Sequence, residues 1–250
     1  MNAASSIYIL WLRQIKRYLR SPARIAGSLG QPLLFLIALG FGFGPIFQKA
    51  GGGDYLQFLV PGVMAMSILF SSTFTGIEII WDRQFGFLKE TLVAPVSRLT
   101  IMVGRTLGGA TIAVFQGTIV LLLATLFGFR FDPAMVLPAL GIMLLVALLF
   151  TAFGTAIGSV LEDMQGFQLI MNFLLMPLFF LSGALFPLNG LPEALTVIAA
   201  VDPLSYGVDG LRALLGGAAH FGLLLDIAVL ATATTAFLIL GSALFARIQI

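Results

Sequence analysis

An all-α membrane protein with six transmembrane helices is predicted by three features of this chain: its composition, six long apolar segments, and a lopsided placement of basic residues. Hydrophobic residues make up 59% and charged residues only 10% of the 250 residues, and the mean hydropathy is +1.06. A soluble surface ordinarily needs about 25% charged residues. A chain this poor in charge must turn apolar surface toward lipid. No alternation of about ten residues recurs, which disfavours a β-barrel.

The apolar segments run over Ile25–Phe47, Tyr55–Trp81, Thr100–Phe129, Ala134–Leu161, Phe167–Phe186 and Gly222–Ala246. Each is long enough to cross a bilayer, and the third and fourth imply tilt or extension beyond it. Pro32, Pro61 and Pro177 fall inside spans and mark kinks or irregular starts. Residues 1–24 read as a separate amphipathic interfacial helix ahead of a transmembrane domain over 25–250. Across Ser5–Arg24, Ile7, Tyr8, Trp11, Leu12, Ile15, Tyr18 and Leu19 share one arc, opposite Arg13, Lys16, Arg17, Arg20 and Arg24. Trp11 with Arg13, Lys16, Arg17 and Arg20 suits a helix in the headgroup layer, with lipid rather than nucleic acid as its partner. The long basic lead before the first apolar run does not resemble a cleavable signal peptide.

Orientation follows from lysine and arginine. With the N-terminus inside, Arg13, Lys16, Arg17, Arg20, Arg24, Arg83, Lys89, Arg98, Arg105 and Arg247 lie on the cytoplasmic side. Only Lys49, Arg130 and Arg212 lie outside, and this accounts for all 13. The positive-inside rule then places both termini in the cytoplasm.

Two connections are more than loops. Between spans two and three, residues 83–98 carry Phe85, Leu88 and Leu92 at helical spacing and end at Pro95. That describes a short amphipathic helix outside the bilayer, which either folds back on the headgroups or fits a groove on a soluble subunit. Between spans five and six, residues 187–221 contain two apolar stretches, Leu195–Val201 and Val208–Leu215, set between prolines and too short to span. They suit re-entrant half-helices packed on protein.

Enzymatic chemistry is not visible. The chain has no cysteine and a single histidine, His220, so thiolate and His-rich metal sites are ruled out. No GxxxxGK[ST] phosphate loop is present, so nucleotide hydrolysis is not expected on this chain. Ten of the 11 acidic residues fall in loops or at span ends; Glu78 is the exception, one turn inside span two. Ion-driven transport ordinarily needs ionisable groups at depth, and Glu78 is expected to pair with Arg83 or Arg105 instead. Gln116 and Asn172 are expected to hydrogen-bond between helices. Gly40-x-Gly42-x-Gly44, Gly104-x-x-x-Gly108 and Gly154-x-x-x-Gly158 allow close helix approach. Glu162-Asp163 is a solvated turn or a partner contact.

Two stretches, 83–109 with Arg83, Gly86, Glu90, Leu92 and Pro95-Val96-Ser97-Arg98, and 177–212 with Pro177, Ser182-Gly183, Phe186-Pro187, Pro192, Pro203-Leu204, Tyr206 and Arg212, carry a pattern through which the chain resembles ABC type-2 permeases. The first matches the region after the second span in that family, and the second matches its late signature. The N-terminal helix, span number and length agree as well. The resemblance implies a homodimer docked on two copies of a separate ATPase that binds ATP and Mg, with no cofactor on this chain. It also implies a coupling helix over Phe85–Pro95, with Arg83, Phe85, Gly86, Leu88, Lys89, Glu90, Leu92 and Pro95 as coupling residues. A substrate path would run along the dimer interface, lined by spans two and five. The stretch from Phe87 to Arg98 is closest to the multidrug- and antibiotic-resistance branch, in a bacterial or archaeal cell membrane. With 23 Phe against 2 Trp and 4 Tyr, the implied cargo is lipophilic or amphiphilic; a polysaccharide or lipid-linked glycan is the alternative.

Overall fold

The computed structural model describes residues 3–49, 53–87, 96–190, 192–216 and 219–246. Leu88, Lys89, Glu90, Leu92, Pro95 and Arg247 lie outside the described residues. The described chain is helical and contains six helices or helix pairs long and apolar enough to cross a membrane. In chain order the helices are α1 (Ala3–Leu19), α2 (Pro22–Lys49), α3 (Tyr55–Phe74), α4 (Ile77–Gln84), α5 (Arg98–Leu126), α6 (Val136–Val160), α7 (Met164–Leu181), α8 (Glu193–Val201), α9 (Pro203–Leu215) and α10 (Leu223–Ala246).

The single amphipathic helix expected over Ser5–Arg24 divides at Ser21. Pro22 has no N–H to continue α1 and instead suits the first turn of a new helix, so Arg24 belongs to α2. α1 lies along α5. Gly104 faces Leu10 and Ile7, and Gly108 leaves no room for a Cβ beside the Gln14 side chain. The Gly104–Gly108 pair therefore seats the N-terminal helix.

Span two consists of α3 and α4, joined by a break at Thr75–Gly76. Ser72 and Thr73 donate their hydroxyls back to the carbonyls of Ile68 and Leu69, and Thr75 donates to Ser72 O at 2.6 Å. Such back-bonding competes with the helical ladder and bends it. The bend then packs against α6: a Cβ on Gly154 would collide with the Thr73 carbonyl, and one on Gly158 with that of Gly76. Gly154→Val is therefore expected to destabilise the fold by about 3 kcal/mol, measured as a lowered unfolding midpoint in nanodiscs.

α3 is the hub, in contact with α2, α5, α6, α7 and α9. Within its best apolar window 78% of span two is buried, against 11% for α2, 22% for α7 and 17% for α10. Span two is thus wrapped by its own chain. The faces left for lipid or another subunit belong to spans one, five and six. The core around the hub is a continuous aliphatic and aromatic cluster that includes Leu59, Met64, Ile68, Met143, Phe167 and Phe179.

α7 stops at Leu181, five residues short of the Phe186 expected from hydropathy. Gly183 adopts φ +74°, a conformation only glycine takes cheaply, and the chain turns there. Next, α8 and α9 meet at 87°. The Asp202 carboxylate between them accepts from Leu204 N at 2.9 Å and caps α9. α9 is buried along nearly its whole length. Asp209 on α9 accepts from the backbone amides of His220 and Phe221, at 2.7 and 2.8 Å, and so ties the loop that leads into α10.

Candidate functional site

Charged groups from four helices converge at the end of the bundle that carries α1 and α4. One turn of α4 separates Glu78 from Asp82, placing both carboxylates on the same face. Both are buried, at 7% and 4% exposure. Arg13 on α1 donates to Asp82 Oδ2 at 2.8 Å, and the buried Arg105 on α5 donates to the same oxygen. Arg24 at the start of α2 donates to Glu78 Oε1 at 3.1 Å. Arg17 lies 3.9 Å from each carboxylate. Four guanidinium groups thus surround two carboxylates and lock α1, α2 and α5 onto α4.

Glu78 pairs with Arg24 and Arg17, not with Arg83 or Arg105 as its sequence neighbourhood suggested. Arg83 turns the other way and donates to the carbonyls of Ser159 and Leu161 at 2.6 and 3.2 Å. It satisfies orphan carbonyls at the end of α6, where a cation also answers the helix dipole. Gln84 reaches Glu162 O at 3.2 Å. The turn after span four is therefore held by the segment leading out of span two.

Beyond the charge cluster α4 ends abruptly. Gly86 takes φ +80° and its N–H meets Arg83 O at 3.3 Å, a glycine helix stop. Around this stop aromatic rings face outward: Trp81 is 41% exposed and Phe85 63%. Their centroids lie 5.7 Å apart, and the Arg17 guanidinium sits over the Trp81 ring at 5.7 Å. With Arg13, Asp82 and Phe87 they line a pocket of about 340 Å³. The chain re-enters the bundle at Ser97, whose Oγ accepts from Thr100 N at 3.1 Å and caps α5.

Of the sequence-predicted coupling residues, Arg83, Phe85 and Gly86 are thereby placed at one corner. Among the interface residues, Trp11 donates its indole N–H to Thr111 Oγ1 at 3.0 Å, so its polar edge faces α5. Arg13 and Arg17 join the ion cluster, and Lys16 and Arg20 are exposed. Gln116 does bond between helices: its Nε2 donates to Tyr18 Oη and Ser28 Oγ, each at 2.8 Å. Asn172 instead stands exposed on α7. Gln116→Leu leaves the buried Tyr18 hydroxyl and the half-buried Ser28 hydroxyl without their donor and is expected to cost about 1–3 kcal/mol, read from chemical unfolding of the reconstituted protein.

Sequence reasoning missed Asp82 as a buried partner, because it counts as a loop residue by position. The signal was available in its i, i+4 spacing from Glu78. No group of three or more potential metal-ligating side chains occurs among the described residues.

Residues 5–215 match the ABC-2 type transporter family. Nodulation protein J of Rhizobium leguminosarum bv. viciae is 30% identical over 90% of this chain and 87% of its own length. The putative transport permease ycf38 of Cyanophora paradoxa is 29% identical over 82% of this chain and 72% of its own. The ycf38 protein of Pyropia yezoensis is 31% identical, with 82% and 72% covered. The match runs from the N-terminal helix through α9 and includes every helix that contributes to the charge cluster. This chain belongs to the ABC-2 type transporter family and is a permease subunit.

Proposed function

We propose that this chain is the membrane half of an ATP-driven exporter that moves a lipophilic or amphiphilic compound out of the cell, with drug- and antibiotic-like molecules as its cargo. Two copies of the chain sit on two copies of a separate ATPase. The observation that carries this reading is the corner at α4. Exposed aromatics at Trp81 and Phe85 follow directly on a buried ion cluster, at the mouth of the segment assigned to coupling. Exposed rings beside a charged rim suit a protein interface, and the cluster behind them ties that corner to three other helices. A push on residues 85–95 is then delivered to α1, α2 and α5 together instead of being lost in a flexible loop.

The second copy packs along span five, whose face is largely free of intrachain contacts. Gln168 and Asn172 are exposed one turn apart on α7. Amides at that depth find hydrogen-bond partners across a helix interface more favourably than in lipid. The charge cluster faces the cytoplasm, as the basic residues require, and both termini lie there. The permease wording in the ycf38 names supports transport and leaves the cargo open.

Affinity purification of the tagged chain from its own membranes tests the assembly. The expected result is co-elution of an ATPase bearing a phosphate loop, with ATP hydrolysis retained in lipid. Elution of the chain alone, without ATPase activity, contradicts the proposal.

A further inference from the structure

A cleft of about 230 Å³ opens between α2 and α3, backed by α5 and the end of α1. Its chemistry is divided. Ser28, Gln31, Ser67, Ser71 and Gln116 supply hydroxyls and amides, while Pro32, Phe70 and Phe74 supply apolar surface. The Phe70 and Phe74 rings are near-parallel, at 13° with centroids 6.4 Å apart.

Three observations show that the cleft has unused hydrogen-bonding capacity. Ser67 is only 4% exposed, yet its Oγ has no partner. Buried hydroxyls are ordinarily satisfied, because leaving one unpaired costs free energy. Pro32 has no N–H, so the Ser28 carbonyl lacks its usual helical donor. Gln31 is exposed on α2, roughly 13 Å along the axis from Pro22 at 1.5 Å per residue. At that depth an amide facing hydrocarbon is costly unless something pairs with it.

The geometry points to this cleft as the binding site for the polar head of an uncharged, hydroxyl- or amide-bearing amphiphile, drawn from the leaflet on the charged side. This inference rests on the exporter reading and narrows its substrate class. Two features select a neutral head. Arg24 at the mouth is already engaged by Glu78 at 3.1 Å. Past Arg24, every polar group named in the wall is an uncharged donor or acceptor. The apolar part of the ligand lies against Phe70, Phe74 and Pro32, toward the open side along α2, where Gly27 has nothing within 4 Å of its Cβ position. α2 can serve as the yielding wall because so little of it is buried, and its Arg24 end is fastened to α4. Movement at the coupling corner therefore reaches the cleft through this ion pair as well as through α3, which runs on into α4.

The test uses the permease–ATPase complex in nanodiscs without ATP, with two photoreactive dodecyl probes, one carrying a maltoside head and the other a phosphate head. The maltoside probe is expected to label peptides of α2 and α3 around Gln31 and Ser67, and to do so more strongly than the phosphate probe. Gln31→Leu with Ser67→Ala should lower that labelling about tenfold, as expected for two lost hydrogen bonds. Ser67→Ala alone removes one oxygen and no backbone, and should lower it about threefold. Labelling confined to other faces, unchanged labelling in both variants, or preference for the phosphate probe overturns the assignment. Because the readout needs no ATP turnover, each of these results leaves the ATPase-association test standing, and failure of that association leaves the labelling pattern interpretable.

Discussion

Asp82→Ala is expected to be the most damaging single substitution in the described chain. It leaves Arg105, 3% exposed on α5, without its carboxylate and releases Arg13 from α4. Removing one member of a buried ion pair strands the other charge in a medium that solvates it poorly, at a cost of about 3–5 kcal/mol. The effect is measured as loss of the folded fraction in a detergent-unfolding titration. Replacing both partners, as in Asp82→Leu with Arg105→Met, removes the stranded charge along with the pair. It should recover most of that loss, because a packed apolar pair is often as stable as the ions it replaces. Equal damage from the single and double variants would mean that the cluster contributes through Arg13 and Arg17 alone. Glu78→Gln should be milder, since its partners Arg17 and Arg24 are both about two-fifths exposed and retain access to water.

The second large effect is expected in the segment proposed to couple the bundle to the ATPase. Leu88→Ala with Leu92→Ala should leave the six-span bundle folded, because the sequence sets both residues between spans two and three, outside the apolar segments. It should weaken ATPase docking by about 30-fold, the loss expected of an interface hot spot worth about 2 kcal/mol. Glu90→Ala should uncouple transport from hydrolysis. Binding of the purified ATPase to nanodisc-held permease measures the first effect, and cargo moved per ATP hydrolysed measures the second. Wild-type docking and coupling in these variants would remove Phe85–Pro95 from the coupling role.

The spans were legible because hydropathy over about twenty residues has one physical cause, the thickness of the bilayer. Their interruptions were legible only in part. The break at Thr75–Gly76 is marked locally only by the back-bonding hydroxyls of Ser72, Thr73 and Thr75, and it packs on Gly154 and Gly158 some eighty residues away. The early stop of α7 was marked by Gly183, yet hydrophobic residues continue to Phe186 and masked it. For α1, periodicity separates an apolar arc from a basic one. A third face, built from Ser6, Leu10 and Gln14, is the one laid on Gly104 and Gly108 of α5.

The charge cluster was hardest to read. Its members are drawn from residues 13, 17, 24, 78, 82 and 105, and a sequence shows which charges exist but not which helices the fold lays side by side. Glu78 was singled out as the acid one turn inside a span; it is buried, and Arg83 and Arg105, the partners expected for it, were the wrong ones. Arg83 resembles a coupling residue in sequence, and in the fold it also caps α6. That contact connects the corner at α4 to span four as well.

Transport by this chain is proposed to require a separate ATPase. Proteoliposomes holding the permease, with the purified ATPase and ATP-Mg added outside, test this directly through entry of a fluorescent amphiphile into the lumen. Accumulation is expected only when both ATPase and ATP are present, and it should stop with a non-hydrolysable analogue. Accumulation driven by a proton or sodium gradient alone, with no ATPase present, would contradict the claim.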